Sequence, residues 1–194
     1  YPQMADFTFY GGLYRDVNLV CVSESHFALE YYGTPGIKVT PEIKGEDATV
    51  TIKTFIKDDD NCKVRYEIIA DGEVIATAEK DGDDEAEIKI KNVHLWNGRK
   101  DPYLYSAKAT LICDGKEIDE ISTRFGCRTF EIDPEKGFIL NGKEYPLRGV
   151  SRHQDRPGIG NALLPEHHKE DLDLILEVGA TTIRLAHYQH SQVF

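Results

Sequence analysis

The chain has 194 residues, 40% of them hydrophobic, and a formal net charge of −11. That is enough apolar content for one large folded unit or two small ones with real cores. The acidic balance argues against nucleic acid or an anionic membrane as partner, and no apolar run is long enough to span a bilayer.

The first two thirds have the pattern of an all-β protein. "LYRDVNLVCV" follows Gly11-Gly12 and is rich in β-branched residues, which predicts a strand. "GIKVTPEIKG" alternates Ile37, Val39 and, past a proline, Ile43; "ATVTIKTFIK" places Val50, Ile52 and Phe55 among polar residues. "KVRYEIIADGEVIATAEK" predicts two strands around an Asp71-Gly72 hairpin turn. "EAEIKIKNV" alternates at Ile88 and Ile90, and Asp114-Gly115 marks a further hairpin in "LYSAKATLICDGKEIDEISTRFG". About seven short strands between Ile37 and Phe125 suggest an immunoglobulin-like sandwich, with Tyr103 at the corner-tyrosine position. Trp96 is expected to be a packed loop residue. The acidic runs Asp58-Asp59-Asp60 and Asp81-Gly82-Asp83-Asp84-Glu85 are expected in solvated loops, the second lacking the spacing of an EF-hand. Cys21, Cys62, Cys113 and Cys127 lie far apart, without zinc or redox spacing, and are expected as buried free thiols.

The pattern changes after Arg128. "GFILNGKEYPL" predicts a hairpin with Asn141-Gly142 at its tip, and "LRGV" a short buried strand. Pro165 suits a first helical turn, Leu172, Ile175, Leu176 and Val178 form an apolar stripe, and Gly179 suits the position past a helix end. "TTIRLA" predicts another buried strand. Strand, helix, strand in this order is a βαβ unit with parallel strands. Parallel sheets are covered on both faces, so the unit is expected to open something larger.

Both predicted parallel strands run into histidine. Residues just past their C-terminal ends share one rim of the sheet, the rim that carries the active site in a (β/α)8 barrel. His153, Asp155 and His187 are placed there, with Arg184 near the end of the second strand. Convergent donors and acceptors suit a sugar, whose hydroxyls both donate and accept. Arg184 inside an apolar strand predicts a buried guanidinium in need of an anionic or carbonyl partner, and suggests a carboxylate arriving from a later strand. No third ligand at fixed spacing supports a metal, and no cofactor is expected. His167 and His168 at the helix start are expected at the solvated surface, and His26, His94 and His190 carry no pattern.

In order along the chain, "GGLYRDVNLV", "LWNGRKDPYLY", "FGCRTFEI", "FILNGKEYPLRGVSRHQD" and "IRLAHYQH" resemble glycoside hydrolase family 2, which includes β-galactosidases and β-glucuronidases. The resemblance spans essentially the whole chain. It implies the last strand region of a jelly-roll sugar-binding domain over residues 1–22, an immunoglobulin-like sandwich over 36–128, and the start of a catalytic (β/α)8 barrel over 129–194. It further implies that His153, Asp155 and His187 contact substrate and that Arg184 holds the nucleophilic glutamate. The family reaction is retaining hydrolysis of β-glycosides by two carboxylates about 5 Å apart. In the family the acid/base glutamate directly follows an asparagine; this chain has no Asn-Glu dipeptide. Glu166, Glu170 and Glu177 belong to the predicted helix, which packs outside such a barrel. The chain is therefore expected to be an inactive internal piece of a longer enzyme, acting on a β-glycoside only at full length.

Two other roles fit the residues. A non-catalytic carbohydrate-binding module would use Tyr31, Tyr32, Trp96 or Tyr103 as its platform, and a structural sandwich would orient its neighbours. An isolated βαβ piece exposes apolar surface, so self-association or a poorly ordered C-terminal third is expected.

Overall fold

The computed structural model describes residues 7–58, 61–82 and 84–194. Asp59, Asp60 and Asp83 of the acidic runs, and residues 1–6 of the expected N-terminal tail, lie outside the described residues. The chain divides into two units: residues up to Leu19 with Tyr145–Phe194, and Val20–Glu144.

The larger unit is a two-sheet sandwich. One sheet holds β2 (Ile37–Lys44), β3 (Asp47–Thr54) and β7 (Ala86–Ile90), with a short pair, β1 (His26–Phe27) and β4 (Ile56–Lys57), beside them in sequence. The other holds β5 (Cys62–Ala70), β6 (Glu73–Asp81), β8 (Tyr105–Cys113) and β9 (Lys116–Phe125), in the order β6-β5-β8-β9. All pairings in both sheets are antiparallel. The alternation in sequence is the alternation in burial: Val50 and Ile52 of β3, Val64, Tyr66 and Ile68 of β5, Ile88 and Ile90 of β7, and Leu111 of β8 form one core. Each such side chain contributes about 1.5–3 kcal/mol on leaving water. Pro41 fits because β2 is an edge strand, where a missing N–H is tolerated. Asp71-Gly72 and Asp114-Gly115 turn their hairpins with positive φ at all four residues.

Three expectations need correction here. Cys62 and Cys113 are not free thiols but a disulfide. Adjacent strands β5 and β8 run antiparallel in a register that sets the two residues opposite each other, Cα atoms 4.2 Å apart. Cys127 is a buried free thiol, pushed up to about 11 by burial, while Cys21 is free but exposed. The tyrosine that anchors the corner is Tyr105 rather than Tyr103: it is buried, and its hydroxyl accepts the His94 main-chain N–H at 2.8 Å. Tyr103 instead stacks on the His94 ring and donates to Asp71 Oδ2 at 3.0 Å. Finally, residues 13–22 form no strand, since no neighbouring edge meets their backbone among the described residues.

Trp96 is packed as expected. Its main-chain N–H donates to the Cys127 carbonyl, its main-chain carbonyl accepts from Asn141 Nδ2, and the Arg128 guanidinium lies 5.0 Å from its ring. Beyond the sandwich, β10 (Phe130–Asp133), β11 (Gly137–Leu140) and β12 (Lys143–Glu144) form a small antiparallel sheet with Asn141-Gly142 at the second turn.

The smaller unit contains β13 (Gly149–Arg152), α1 (Pro165–Glu177) and β14 (Thr182–Leu185). β13 and β14 are parallel, Gly149 opposite Thr182 and Arg152 opposite Leu185. Pro165 opens α1, and the Leu164 N–H donates to His167 Nδ1 at 3.0 Å. The helix ends in a Schellman motif: Gly179, at φ +82°, donates to Leu176 O, and Ala180 donates to Ile175 O. The apolar stripe is only partly covered: Leu172 and Ile175 are half-buried, whereas Leu176 and Val178 are exposed. No helix among the described residues is long and apolar enough to cross a membrane.

Candidate functional site

Parallel pairing of β13 with β14 carries both strands to the same rim. The ladder continues one step past the strands, the Ala186 N–H donating to the Arg152 carbonyl at 3.0 Å. This sets His153 and His187 side by side, ring centroids 5.0 Å apart and planes tilted by 53°. Both predicted histidines therefore meet.

Their ring nitrogens are differently placed. Arg184 Nη2 donates to His187 Nδ1 at 3.3 Å, so a neutral His187 carries its proton on Nε2. His153 Nε2 is buried without a hydrogen-bond partner among the described residues. Such an atom costs free energy until a donor or acceptor arrives, which is what a bound hydroxyl supplies. Asp155 is exposed and lines a cleft of about 680 Å³ with Tyr10, Arg156 and the turn Pro157–Gly160. Arg184 is exposed rather than buried, because among the described residues nothing covers that face of β14, and there it meets the His187 imidazole.

The N-terminal segment also reaches this rim. Phe7 stacks on His187 with centroids 5.2 Å apart and meets Tyr188 edge-on at 5.5 Å. Arg15 Nη2 donates to the Gln189 carbonyl. A Cβ at Gly160 would fall 2.9 Å from the Tyr10 ring, so the turn admits that ring only as glycine. Neither Phe7, Tyr10 nor Arg15 was expected at the site. The aromatic cluster Phe7, Phe9, Tyr10 before Gly11-Gly12 was the available signal.

Directly behind the histidines lies a polar cluster that the sequence did not announce. Arg152 is 6% exposed and bonds Asp171, His168 and His190. His168 is thereby buried rather than solvated, its imidazole held below the usual histidine range first by burial and then by Arg152. His167 is also no idle surface residue, since it caps the helix. Helical spacing explains both: His168 and Asp171 are three residues apart and face β13 together, while His167 points back to the helix start. No group of three or more metal-ligating side chains occurs among the described residues.

Comparison with known proteins gives a consistent neighbourhood. The model of "Glycosyl hydrolases family 2" matches residues 35–128, and that of "Glycosyl hydrolases family 2, TIM barrel domain" matches residues 130–194. A β-glucuronidase of Bacteroides fragilis is 40% identical over 96% of this chain and 29% of its own length. A β-galactosidase of Thermoanaerobacter pseudethanolicus is 28% identical over 99% of this chain and 26% of its own length. The crystal structure of an FMN-binding β-glucuronidase from Faecalibacterium prausnitzii L2-6 superposes with a TM-score of 0.94 at 47% identity, covering 100% of this chain and 31% of that one. Bacteroides uniformis β-glucuronidase 2, covalently bound to cyclophellitol-6-carboxylate aziridine, superposes with a TM-score of 0.87 at 33% identity, covering 99% of this chain and 25% of that one. The chain thus spans less than a third of each of these proteins.

Proposed function

Since the chain belongs to glycosyl hydrolases family 2, with an immunoglobulin-like sandwich followed by the start of a TIM barrel, we propose that it is the part of a retaining β-glycosidase that carries one wall of the sugar site. His153, Asp155 and His187 bind substrate hydroxyls, and Arg184 holds the nucleophilic carboxylate beside His187. Phe7 and Tyr10 complete the wall from the N-terminal side. The observation that carries this is the 5.0 Å approach of the His153 and His187 rings at one end of two parallel strands. The unmet His153 Nε2 supports it. Residues 36–128 orient the neighbouring domains, and 129–194 open the barrel. Residues 1–22 are the last strand region of a jelly roll, and Leu13, Val17, Leu19, Val20 and Val22 of that stretch are apolar and exposed. The chain taken alone self-associates through such surfaces.

The substrate class is a β-glucuronide, because the two relatives above with at least 40% identity are β-glucuronidases. Hydrolysis needs a nucleophile and an acid/base; the helix glutamates Glu166, Glu170 and Glu177 are exposed, and Glu170 is taken up in an ion pair with Arg156. The test is kinetic. The full-length protein is assayed on p-nitrophenyl β-D-glucuronide and β-D-galactoside, with His153→Ala and His187→Ala as variants. Glucuronide turnover is expected to dominate, and each variant to lose about 10–100-fold in kcat/KM, the cost of leaving a desolvated hydroxyl without its partner. Turnover by residues 1–194 alone, or kinetics indifferent to both variants, would defeat the reading.

A further inference from the structure

A buried guanidinium must be neutralised and its N–H groups met. Arg152 does this entirely within the smaller unit. Its Nε and Nη2 donate to Asp171 Oδ2 at 2.9 and 2.5 Å, Nη2 donates to His168 Nδ1 at 2.9 Å, and Nη1 donates to His190 Nδ1 at 3.1 Å. The Phe194 ring lies 4.1 Å from the guanidinium carbon. A guanidinium accepts nothing, so the Nδ1 of both imidazoles is the unprotonated nitrogen. His190 therefore carries its proton on Nε2, which donates to the Ala186 carbonyl at 2.9 Å. That carbonyl belongs to the peptide joining Ala186 to His187.

We propose that Arg152 is a positioning residue: clamped to α1 by Asp171 and His168, it orients His190, which holds the turn after β14 so that His187 faces His153. The inference rests on the reading of that histidine pair as sugar-binding. Arg152 touches no sugar and acts through His190. Gln154, from the same strand end, ties the same turn a second time: its N–H donates to the Tyr188 hydroxyl and its Oε1 accepts the Ser191 N–H, both at 3.2 Å. One strand end thus sets its own histidine and fixes the loop bearing the other. The clamp requires neutral imidazoles, because a proton on either Nδ1 would point at the guanidinium. Arg152, Asp171, His167 and His190 face His168; Arg152 and the rings of Tyr188 and Phe194 face His190.

The test uses the full-length protein, with Arg152→Gln, the shape-preserving Asp171→Asn, His190→Ala and the double variant Arg152→Gln/His190→Ala. On p-nitrophenyl β-D-glucuronide, Arg152→Gln is expected to lower kcat/KM by about 10–100-fold, mainly through KM, and Asp171→Asn by less. The double variant should be no worse than the poorer single one, because both break one chain of contacts. Histidine ¹⁵N spectra of the wild type should show His190 and His168 with bare Nδ1, and in Arg152→Gln the His168 titration should move up. Multiplying losses in the double variant, or a proton on His190 Nδ1 in the wild type, would overturn the inference. Kinetics sensitive to His153→Ala and His187→Ala but indifferent to Arg152→Gln and Asp171→Asn overturns the positioning role alone. Indifference to the first pair overturns the sugar reading and the positioning role with it, even where the spectra still record the clamp.

Discussion

His168 is 3% exposed against the Arg152 guanidinium, and burial is the first cause of its lowered pKa; Asp171 opposes the shift without cancelling it. A histidine kept neutral when folded binds a proton more readily when unfolded, so stability rises with pH across the gap between the two values. Its contribution is therefore whole above about pH 6.5, the ordinary histidine value, and is lost as pH falls from there through the lowered folded value. Amide exchange of α1, corrected for intrinsic rates, is expected to show protection falling below that pH, and falling less in His168→Gln. Equal acid sensitivity in the two proteins would refute this account. Nothing around "PEHHKED" signals the burial. A histidine at the start of a helix is usually solvated, and only the approach of Arg152 from β13 converts it.

At the level of elements, the turns and the parallel pairing of β13 with β14 were legible, and the register of β5 against β8 was not. Asp71-Gly72, Asp114-Gly115 and Asn141-Gly142 each need positive φ at both residues, and these residue types supply it. α1 was legible at both ends, from Pro165 and Gly179. The disulfide was hidden, because Cys62 and Cys113 are 51 residues apart and meet only once β5 and β8 are in register. Closing a loop of that length restrains the unfolded chain by about 4 kcal/mol in the chain-entropy model. Reduction should thus lower the melting temperature of the sandwich by about 15 °C, read from Trp96 fluorescence. Cys62→Ser/Cys113→Ser should melt at the reduced value whether or not reductant is present. An unchanged melting temperature on reduction would show that the bridge restrains nothing.

On the scale of the molecule, the two units differ in how completely they are covered. The sandwich closes its core between two sheets. The smaller unit leaves Leu174, Leu176, Val178 and Leu185 between 45% and 73% exposed, and Leu13, Val17 and Leu19 of the N-terminal segment more so. Exposed apolar side chains in this number favour association. Residues 1–194 are expected to elute from size exclusion at an apparent mass that grows with concentration, and Leu174→Lys/Val178→Lys to reduce that growth. A monomer of constant mass over a hundredfold range of concentration would contradict this.

Local chemistry was enough to assign the strands from Ile37 to Phe125, their hairpins, the βαβ order and the two histidines at the strand ends, because each rests on periodicity or on backbone preference within a few residues. The Cys62–Cys113 bridge, the exchange of Tyr103 for Tyr105, the exposure of Arg184 and the Arg152 cluster were decided only by the folded chain. Each depends on which strand lies beside which, and on how much water that pairing leaves around a side chain. Those are properties of distant segments brought together, and no short window of residues contains them.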